Sequence, residues 1–351
     1  MRKLTVNVKP PYDVVVGRGL LSDAGTLVSQ VMRGKRALVI SDSNTAPLYC
    51  GGVCEALRDS GIDAYTYIFE AGEENKTVKT VWDMLEAAAS HGLTRSDAIV
   101  ALGGGVTGDM AGFAAAVYLR GIDYIQIPTT VIAQSDSSVG GKTGCDLTYG
   151  KNLAGAFKQP RLVIIDPDTL GTLPQRYRSD GMAEVIKHGL IASAELFDII
   201  ERGSLDMEDV LYRNVDIKRS FVEADEFDTS ERMKLNFGHT MGHAIEKYYN
   251  FTGPSHGEAV AMGMVIAARA GENAGLTKKG TADRICSVLK KYGLPTLTEA
   301  PAEKLVQIAA LDKKRMGDII NFILISDIGR AFIHKLRADE LFDFVKGAFN
   351  G

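Results

Sequence analysis

The alternation of apolar and polar positions changes character about halfway along the chain. Short apolar runs of strand length come first, and we predict strands at residues 3–8, 13–17, 36–40, 64–69, 97–102, 123–128 and 162–166. Segments with a helical period separate several of these runs and predict helices that end near residue 60 and cover residues 77–91 and 108–119. Strands that alternate with helices indicate βαβ units on a parallel sheet.

Beyond residue 170 the helical period dominates. We predict helices at residues 175–201, 207–226, 238–250, 256–273, 280–291 and 302–311, interrupted by a strand pair at residues 319–325 and 330–334. The expected fold is therefore an α/β domain at residues 1–170, with Rossmann-like nucleotide binding on a parallel sheet. A mainly α-helical, metal-binding domain at residues 171–351 follows it.

Composition excludes some classes of function. The chain has 351 residues, and its 40 basic and 44 acidic side chains give a formal charge of −4, so neither a nucleic acid nor an acidic membrane surface is an expected partner. No apolar run approaches the roughly 18 residues of a membrane span. The N-terminus alternates like a strand and lacks a signal-peptide core. We therefore expect a cytoplasmic protein, and reduced thiols at Cys50, Cys54, Cys145 and Cys286, which form no C-x-x-C pair.

Candidate metal ligands centre on residues 234–246, which hold two of the six histidines. His239 and His243 are four residues apart, so a helix would place them on one face about 5–6 Å apart. His256 begins a later helical segment, and Glu184 lies upstream. Three imidazoles and a carboxylate suit a divalent metal such as catalytic zinc. A polar helix face without metal is the alternative, and Thr240 at the position of the general base argues against an H-E-x-x-H protease.

The small residues around these histidines indicate how the backbone is packed there. Gly238, Gly242 and Ala244 indicate that the backbone comes close to a ligand or to another helix.

A glycine-rich stretch at residues 103–109 follows a predicted strand and opens a helix. Gly103, Gly105 and Gly108 match G-x-G-x-x-G, in which the backbone and the helix N-terminus approach a pyrophosphate. The motif lies on the third βα unit, and the acidic residue usual about 20 positions later is not evident. Asp42, at the end of an earlier strand, is a candidate contact for ribose or adenine. The alternative is a tight packing turn.

A second glycine-rich stretch covers residues 136–152. It contains Gly-Gly-Lys-Thr, but Asp136 occupies the position of the first P-loop glycine, so Walker A is rejected. We expect a flexible backbone on which Lys142, Lys151 and Asn152 bind a substrate phosphate. Solvated surface lysines are the alternative.

Taken together, these stretches resemble the 3-dehydroquinate synthase family between Ser41 and Arg330. The matching segments are residues 72–76, 103–120, 128–130, 136–143, 150–160, 183–187, 232–246 and 256–264. Several motifs in the right order are far more specific than any one of them.

The resemblance implies a role for each matching residue. Zinc or cobalt would be held by Glu184, His239 and His256, so that His243 faces the substrate and is not a ligand. NAD contacts would be Asp42, Asn44, Glu73, Lys76, Gly104, Gly105, Val106, Asp109, Thr129, Thr130, Lys142 and Lys151. The substrate would meet Asp136, Lys142, Asn152, Lys187, Lys218, Arg232, Asn236 and His243, and Arg120 would reach the substrate of a neighbouring subunit in a homodimer. The catalytic candidates are His243, Lys187, Lys142 and Asp136.

The resemblance also implies the reaction. The substrate would be 3-deoxy-D-arabino-heptulosonate 7-phosphate, a sugar acid of the shikimate pathway of aromatic amino acid biosynthesis, which has a carboxylate at one end and a phosphate at the other. Arg232 suits the carboxylate and Lys142 the phosphate. Transient oxidation by NAD, loss of phosphate, return of the hydride, ring opening and an aldol closure would then give 3-dehydroquinate.

Two positions depart from the family pattern. Asp228 stands where the family usually has a glutamate, and His188 follows Lys187 where a tyrosine is common. We expect His188 to be structural and assign no catalytic role to Asp228.

Other functions on this scaffold remain as alternatives. A different sugar-phosphate cyclase would lack one of the two anion sites, and a metal-dependent polyol dehydrogenase would release NADH. An NAD-responsive binding protein would hold a structural metal with four ligands.

Overall fold

The computed structural model describes residues 1–314 and 318–349. The first half of the chain contains β1 (Arg2–Val6), β2 (Tyr12–Val16), α1 (Ala24–Ser29), β3 (Arg36–Asp42), α2 (Ala46–Asp59), β4 (Asp63–Phe69), α3 (Val78–Ser90), β5 (Ala98–Gly103), α4 (Gly105–Val117), β6 (Asp123–Pro128), β7 (Lys142–Leu147), β8 (Gly150–Phe157) and β9 (Leu162–Ile165). The second half contains α5 (Gln175–Ala192), α6 (Ala194–Arg202), α7 (Met207–Ala224), α8 (His239–Tyr248), α9 (His256–Asn273), α10 (Thr281–Lys291), α11 (Ala302–Lys314), β10 (Ile319–Asp327), β11 (Arg330–Arg337) and α12 (Leu341–Val345).

The described chain forms two compact units. One consists of Met1–Leu173 with Met207–Phe227, and the other of Pro174–Asp206 with Asp228–Gly351. Helix α7 belongs to the first unit because it is tied to the start of the chain: Arg2 Nη1 donates to Asp209 Oδ1 at 2.7 Å, and the Asn7 amide donates to Glu223 Oε1 at 2.7 Å. The predicted division at residue 170, with NAD binding before it and metal and substrate binding after it, placed this helix in the second domain. As a functional division it stays a prediction.

A seven-stranded sheet organises the first unit, in the order β1-β2-β9-β6-β5-β3-β4. Strands β2, β9, β6, β5, β3 and β4 pair in parallel, and β1 is an antiparallel edge strand. Alternate residues of β5 serve opposite faces: Val100 packs in the core with α1 and α2, and Ile99 packs in the core with α3 and α4. Burial on both faces explains the continuous apolar runs of the central strands. The predicted parallel α/β fold is confirmed.

The second glycine-rich stretch is ordered, which corrects the expectation of a flexible loop. Strands β7 and β8 form an antiparallel hairpin in which Gly144 faces Gly155. A Cβ atom on Gly155 would lie 2.2 Å from the Thr143 carbonyl oxygen. The glycines are therefore needed for close approach of two strands rather than for mobility.

Helices α8 and α9 of the second unit pack through glycine. A Cβ atom on Gly263 would lie 2.0 Å from the Gly238 carbonyl oxygen, and one on Gly242 would lie 3.2 Å from that of Ala259. Gly238 itself has a φ of +82°, which side chains rarely adopt. Of the small residues predicted to allow close approach, Gly238 and Gly242 therefore face another helix, whereas Ala244 lines a cavity. This packing matters for the site because α8 and α9 carry all three candidate histidines.

The close contact predicts that Gly263→Ala destabilises the protein. The added methyl group must push α8 and α9 apart, at a cost of about 1–3 kcal/mol in the free energy of unfolding. Gly52→Ala is the matched control, because Gly52 lies inside α2 with nothing within 4 Å of the position that an added methyl group would take. That change should stabilise the protein by about 0.5–1 kcal/mol. Urea unfolding of the two variants tests this, and equal stabilities would contradict the packing described here.

One predicted helix, residues 175–201, is two helices. Ser193 adopts an extended backbone conformation between α5 and α6, and its hydroxyl caps α6 by accepting from the Leu196 amide at 3.2 Å. Serine at such a position is a helix-start signal that the hydrophobic period conceals. The break places the end of α5 against α6, where Gly189 packs on the Phe197 backbone.

The described residues, 1–314 and 318–349, include no helix with both the length and the apolar character needed to cross a bilayer. The four cysteines are free and buried.

Candidate active site

The predicted metal ligands of the second unit come together from three helices. Glu184 lies on α5, His239 is the first residue of α8, and His256 is the first residue of α9. Both imidazole Nε2 atoms approach the same carboxylate oxygen: Glu184 Oε1 is 3.4 Å from His239 and 3.3 Å from His256. The three ligand atoms lie within 4.8 Å of one another.

These donors fit a divalent cation. Two donor atoms each about 2.0–2.1 Å from a tetrahedral zinc ion lie about 3.3–3.4 Å apart, which is the spacing found between the carboxylate and each imidazole. Glu184 is 1 % exposed, and among the described residues neither of its oxygens accepts a hydrogen bond of good geometry. A buried carboxylate needs cationic partners, and Lys187 supplies one at Oε2, so the oxygen that a metal would take is Oε1, which faces the two imidazoles. Two imidazoles and a carboxylate are the donor types of catalytic zinc sites.

Lys187 completes the surroundings of Glu184. Its Nζ atom forms an ion pair with Glu184 Oε2, three residues away on α5, and both side chains are buried. Burial alone would raise the pKa of Glu184, but Lys187 and His239 together hold that pKa well below its usual range. The carboxylate is thus ionised, with one oxygen directed at Lys187 and the other at the two histidines.

His243 lies one turn along α8 from His239. The two rings are 5.4 Å apart between centroids and nearly perpendicular, and the His243 ring is 6.2 Å from that of His256. His243 is exposed and lines a cavity of about 180 Å³ together with Asn236, His239, Thr240, Ala244, Ile308 and Ala309. Its position on the wall of this cavity suits the predicted contact with a substrate.

A second set of donors overlaps the first. His243, Glu246 and His256 also have ligand atoms within 4.8 Å of one another. Sequence reasoning assigned no role to Glu246, although it lies on the same face of α8 as the two histidines. The only signal available was its spacing, three residues after His243 and seven after His239.

Arg232 and Asn236 lie on a short 3₁₀ helix, Glu231–Asn236, that leads into α8. Arg232 is buried, and Asn236 reaches the cavity beside His243. The two departures from the family pattern lie apart in the chain: Asp228 precedes this short helix and has a φ of +60°, whereas His188 lies on α5 and is fully buried. Burial agrees with the structural role expected for His188.

In the first unit, the predicted cofactor contacts gather at the carboxyl ends of neighbouring strands. Three adjacent strands, β3, β5 and β6, end at Asp42, Gly103 and Pro128. The residues that follow them are Asn44, then Gly104, Gly105 and Val106, then Thr129 and Thr130. Helix α4 begins at Gly105, earlier than predicted, so the free amides of its first turn lie within the motif. This edge is where open parallel sheets bind nucleotides.

Glycine is required at two positions of this loop. A Cβ atom on Gly104 would lie 3.1 Å from Thr130 Cγ2, and one on Gly103 would lie 2.5 Å from Thr107 Oγ1. Asp42 fixes the same region, because its oxygens accept from the Asn44 and Thr45 amides and from the Thr45 and Thr107 hydroxyls, all at 3.0 Å. Four donors fill the acceptor positions of a carboxylate. A ribose hydroxyl would have to displace one of them.

A polar cluster near this edge unites predicted cofactor and substrate contacts. Lys76 Nζ donates to Asp109 Oδ2 and to Asn152 Oδ1, each at 2.6 Å, and Lys151 Nζ is 3.6 Å from Glu73 Oε1. Burial alone would lower the pKa of Lys76, but Asp109 and Glu73 raise it above its usual value. The ammonium group therefore stays charged and fixes Asn152, whose φ of +56° is unusual for a side-chain-bearing residue.

The remaining predicted residues of the first unit are placed separately. Lys218 donates to the Asp136 carbonyl oxygen at 2.5 Å and pairs with its carboxylate. Asp136 lies in a π-helical turn, Ala133–Ser137, a geometry frequent at functional sites. Lys142 is exposed at the start of β7. Arg120 is exposed after α4, and both it and Leu119 have positive φ values, of 67° and 49°.

Comparison with known proteins gives the family. Residues 66–180 match the sequence model for the 3-dehydroquinate synthase N-terminal domain, and residues 181–315 match the model for its C-terminal domain. A 3-dehydroquinate synthase from Clostridium acetobutylicum is 44 % identical over 342 residues, which is 95 % of this chain and 96 % of that protein.

Solved structures of related cyclases have the same fold. A 2-deoxy-scyllo-inosose synthase complexed with carbaglucose-6-phosphate, NAD+ and Co2+ superposes with a TM-score of 0.85 at 27 % identity, covering 99 % of this chain and all of that one. The 2-epi-5-epi-valiolone synthase ValA from Streptomyces hygroscopicus, with NAD+ and Zn2+ bound, gives a TM-score of 0.86 at 27 % identity and 96 % coverage of both chains. With both family domains matched and close relatives aligned over nearly their whole length, this chain belongs to the 3-dehydroquinate synthase family.

Proposed function

We propose that this protein is an NAD- and metal-dependent carbon–oxygen lyase that converts 3-deoxy-D-arabino-heptulosonate 7-phosphate into 3-dehydroquinate and phosphate. The observation that carries the proposal is the full-length similarity to relatives named 3-dehydroquinate synthase. The grouping of buried Glu184 with His239 and His256, beside a cavity, supports it. Bound NAD would supply a transient oxidation of the substrate, and the metal would polarise the hydroxyl group that is oxidised.

The metal site is proposed to consist of Glu184 Oε1 and the Nε2 atoms of His239 and His256. Three protein ligands leave further positions for a substrate oxygen, as in other catalytic zinc sites. Lys187 holds the other oxygen of Glu184 and thereby orients the carboxylate. Its ammonium group also contributes fixed positive charge, which favours any oxygen that gains negative charge nearby.

His243 is proposed to hold and move a proton at the substrate. It is one turn from a predicted ligand and lines the cavity, so a molecule bound there would contact its ring. An imidazole is the side chain best suited to proton transfer near neutral pH. Its neighbour Asn236 would hydrogen-bond to the same molecule.

The NAD site is proposed to lie at the carboxyl edge of the sheet. The N-terminus of α4 offers free amides to the pyrophosphate, and Gly104 and Gly105 let the backbone approach it. Lys76 and Asp109 form the polar wall of this site.

Substrate recognition is proposed to rest on fixed cations. Arg232 would pair with the carboxylate, because a guanidinium matches its planar geometry. Lys142 and the Asn152 amide would bind the phosphate, and Lys218 and Asp136 would contact the hydroxyl groups. Arg120, which is exposed, would contact the substrate bound to the neighbouring subunit of a homodimer.

Arg232→Ala is expected to weaken substrate binding much more than NAD binding. Loss of charge-assisted hydrogen bonds worth about 1.5–3 kcal/mol corresponds to a roughly 10–150-fold higher Kd for the substrate. The Kd for NAD should change less than about twofold, because Arg232 is not among the proposed NAD contacts and independent sites couple by less than about 0.5 kcal/mol. Titration calorimetry with each ligand measures both. Arg284→Ala is the control, because Arg284 pairs with Glu201 and Asp198 away from the site. Equal losses for the two ligands would refute the assignment.

The reaction itself is tested by phosphate release. Purified protein loaded with zinc and NAD is mixed with 3-deoxy-D-arabino-heptulosonate 7-phosphate, while absorbance at the NADH band is followed. We expect one phosphate and one 3-dehydroquinate per substrate, with no accumulation of NADH. Steady NADH production would indicate a dehydrogenase. No phosphate release from metal-loaded protein would favour a different sugar-phosphate cyclase, to be tested with other sugar phosphates.

A further inference from the structure

Several hydrogen bonds fix the backbone of His256, but they do not set the orientation of its imidazole ring. Ser255 caps α9 and forms a capping box with Glu258. Asp180 Oδ1, on α5, accepts from Ser255 Oγ at 2.5 Å and from the Gly257 amide at 2.6 Å. Asp180 and Glu184 both lie on α5, so these contacts fix the position of the His256 Cα atom relative to Glu184. They do not decide which ring nitrogen faces Glu184.

The ring is oriented by a carboxylate on its other side. His256 Nε2 is 3.3 Å from Glu184 Oε1, and Nδ1 is 3.4 Å from Glu246 Oε2. Glu246 is 5 % exposed, so its carboxylate faces the protein interior rather than water. Burying this charge has a cost unless it serves a partner such as the imidazole N–H.

The two ring nitrogens of His239 are arranged in the same way, but the acceptor at its Nδ1 atom is weaker. Its Nδ1 atom is 3.2 Å from the Phe237 carbonyl oxygen, while Nε2 is directed at Glu184. Both rings thus present Nδ1 to an oxygen acceptor and Nε2 to the shared carboxylate. The difference is that His239 has a neutral carbonyl group and His256 has a charged carboxylate. A carboxylate accepts the stronger hydrogen bond.

We propose that Glu246 is the positioning residue for the metal site, acting through His256. It accepts the Nδ1–H group, which leaves the Nε2 lone pair free for the cation and makes that nitrogen a better donor. Glu246 itself is not a ligand. The inference rests on the metal site proposed above and adds the group that orients one of its ligands. That ligand, His256, has a side chain that is 36 % exposed, against 12 % for His239.

The test is the affinity of the whole protein for Co2+ and Zn2+, measured by competition with a chelator, in three variants. Glu246→Ala should raise the metal Kd by about 10–100-fold, as expected for loss of a group that supports a ligand. Glu246→Gln keeps an oxygen acceptor and should give a smaller loss. Lys247→Gln, an exposed change at the next residue of α8, should have no effect.

The visible absorption spectrum of the Co2+ protein separates positioning from ligation. A positioning role predicts that Glu246→Gln, saturated with Co2+, keeps the band intensity of the wild type, because the coordination number does not change. A marked change in intensity would make Glu246 a ligand and overturn the inference. Wild-type affinity in both Glu246 variants would also overturn it, while leaving the metal site intact. Absence of metal binding by the wild type would instead refute the site as a whole, and the inference with it.

Discussion

His256→Ala is expected to abolish metal binding and, with it, turnover. The imidazole Nε2 atom supplies one of three donors around Glu184 Oε1, and alanine leaves two. The metal Kd should rise by more than about 100-fold, which exceeds the 10–100-fold cost of losing a supporting group outside the coordination sphere. Metal content after dialysis and phosphate release from the substrate measure the two effects.

The control for this variant is His91→Ala. His91 stacks on Tyr65 in the first unit, with ring centroids 4.3 Å apart, and takes no part in the donor set. It should keep full metal content and activity. If His256→Ala retained one tightly bound metal per chain, the cation would be bound by other residues.

His256→Ala alone does not distinguish the two donor sets formed by residues of the second unit, because His256 belongs to both of them. It tests whether a metal binds in this part of the second unit. One set adds Glu184 and His239 to His256, and the other adds His243 and Glu246. To distinguish them, the substituted residue must belong to one set only.

The hydrophobic pattern predicted the sheet well because burial dictates it. Strands such as β5 and β6 are covered on both faces, and their continuous apolar runs are visible in the sequence. The β7–β8 hairpin was missed for the opposite reason. Its pairing depends on glycines that meet across the strands, Gly144 and Gly155, and on contact between Thr143 and Gly112 of α4. Contacts between residues distant in the chain leave no periodic signal in either strand.

The spacing of residues in the sequence indicated only some of the candidate site residues. Reasoning from the residues suggested His239, His243, His256 and Glu184 as ligands, and family resemblance removed His243 from that set. The structure shows why spacing is insufficient. Glu184 lies on α5 and meets His239 and His256 only through the packing of three helices. The same holds for Glu246, whose relation to His256 depends on how closely α8 approaches α9.

His243→Ala is expected to retain the metal and lose turnover, and it is the experiment that separates the donor sets. In the proposed site Glu184, His239 and His256 bind the cation, so removal of His243 leaves all three ligands in place. The side chain lines the cavity and is exposed, which means that alanine causes little strain. Loss of a group that transfers protons typically lowers kcat by about 10²–10⁴-fold.

The measurements are metal content, NAD affinity and kcat of His243→Ala beside the wild type. Unchanged metal and NAD binding with a greatly reduced kcat would support proton transfer by His243. Loss of metal would instead show that His243 is a ligand, and would refute Glu184, His239 and His256 as the complete donor set. The two outcomes are distinguishable because His239 and His243, although one turn apart on α8, belong to different donor sets. A single substitution therefore decides whether His243 coordinates the metal.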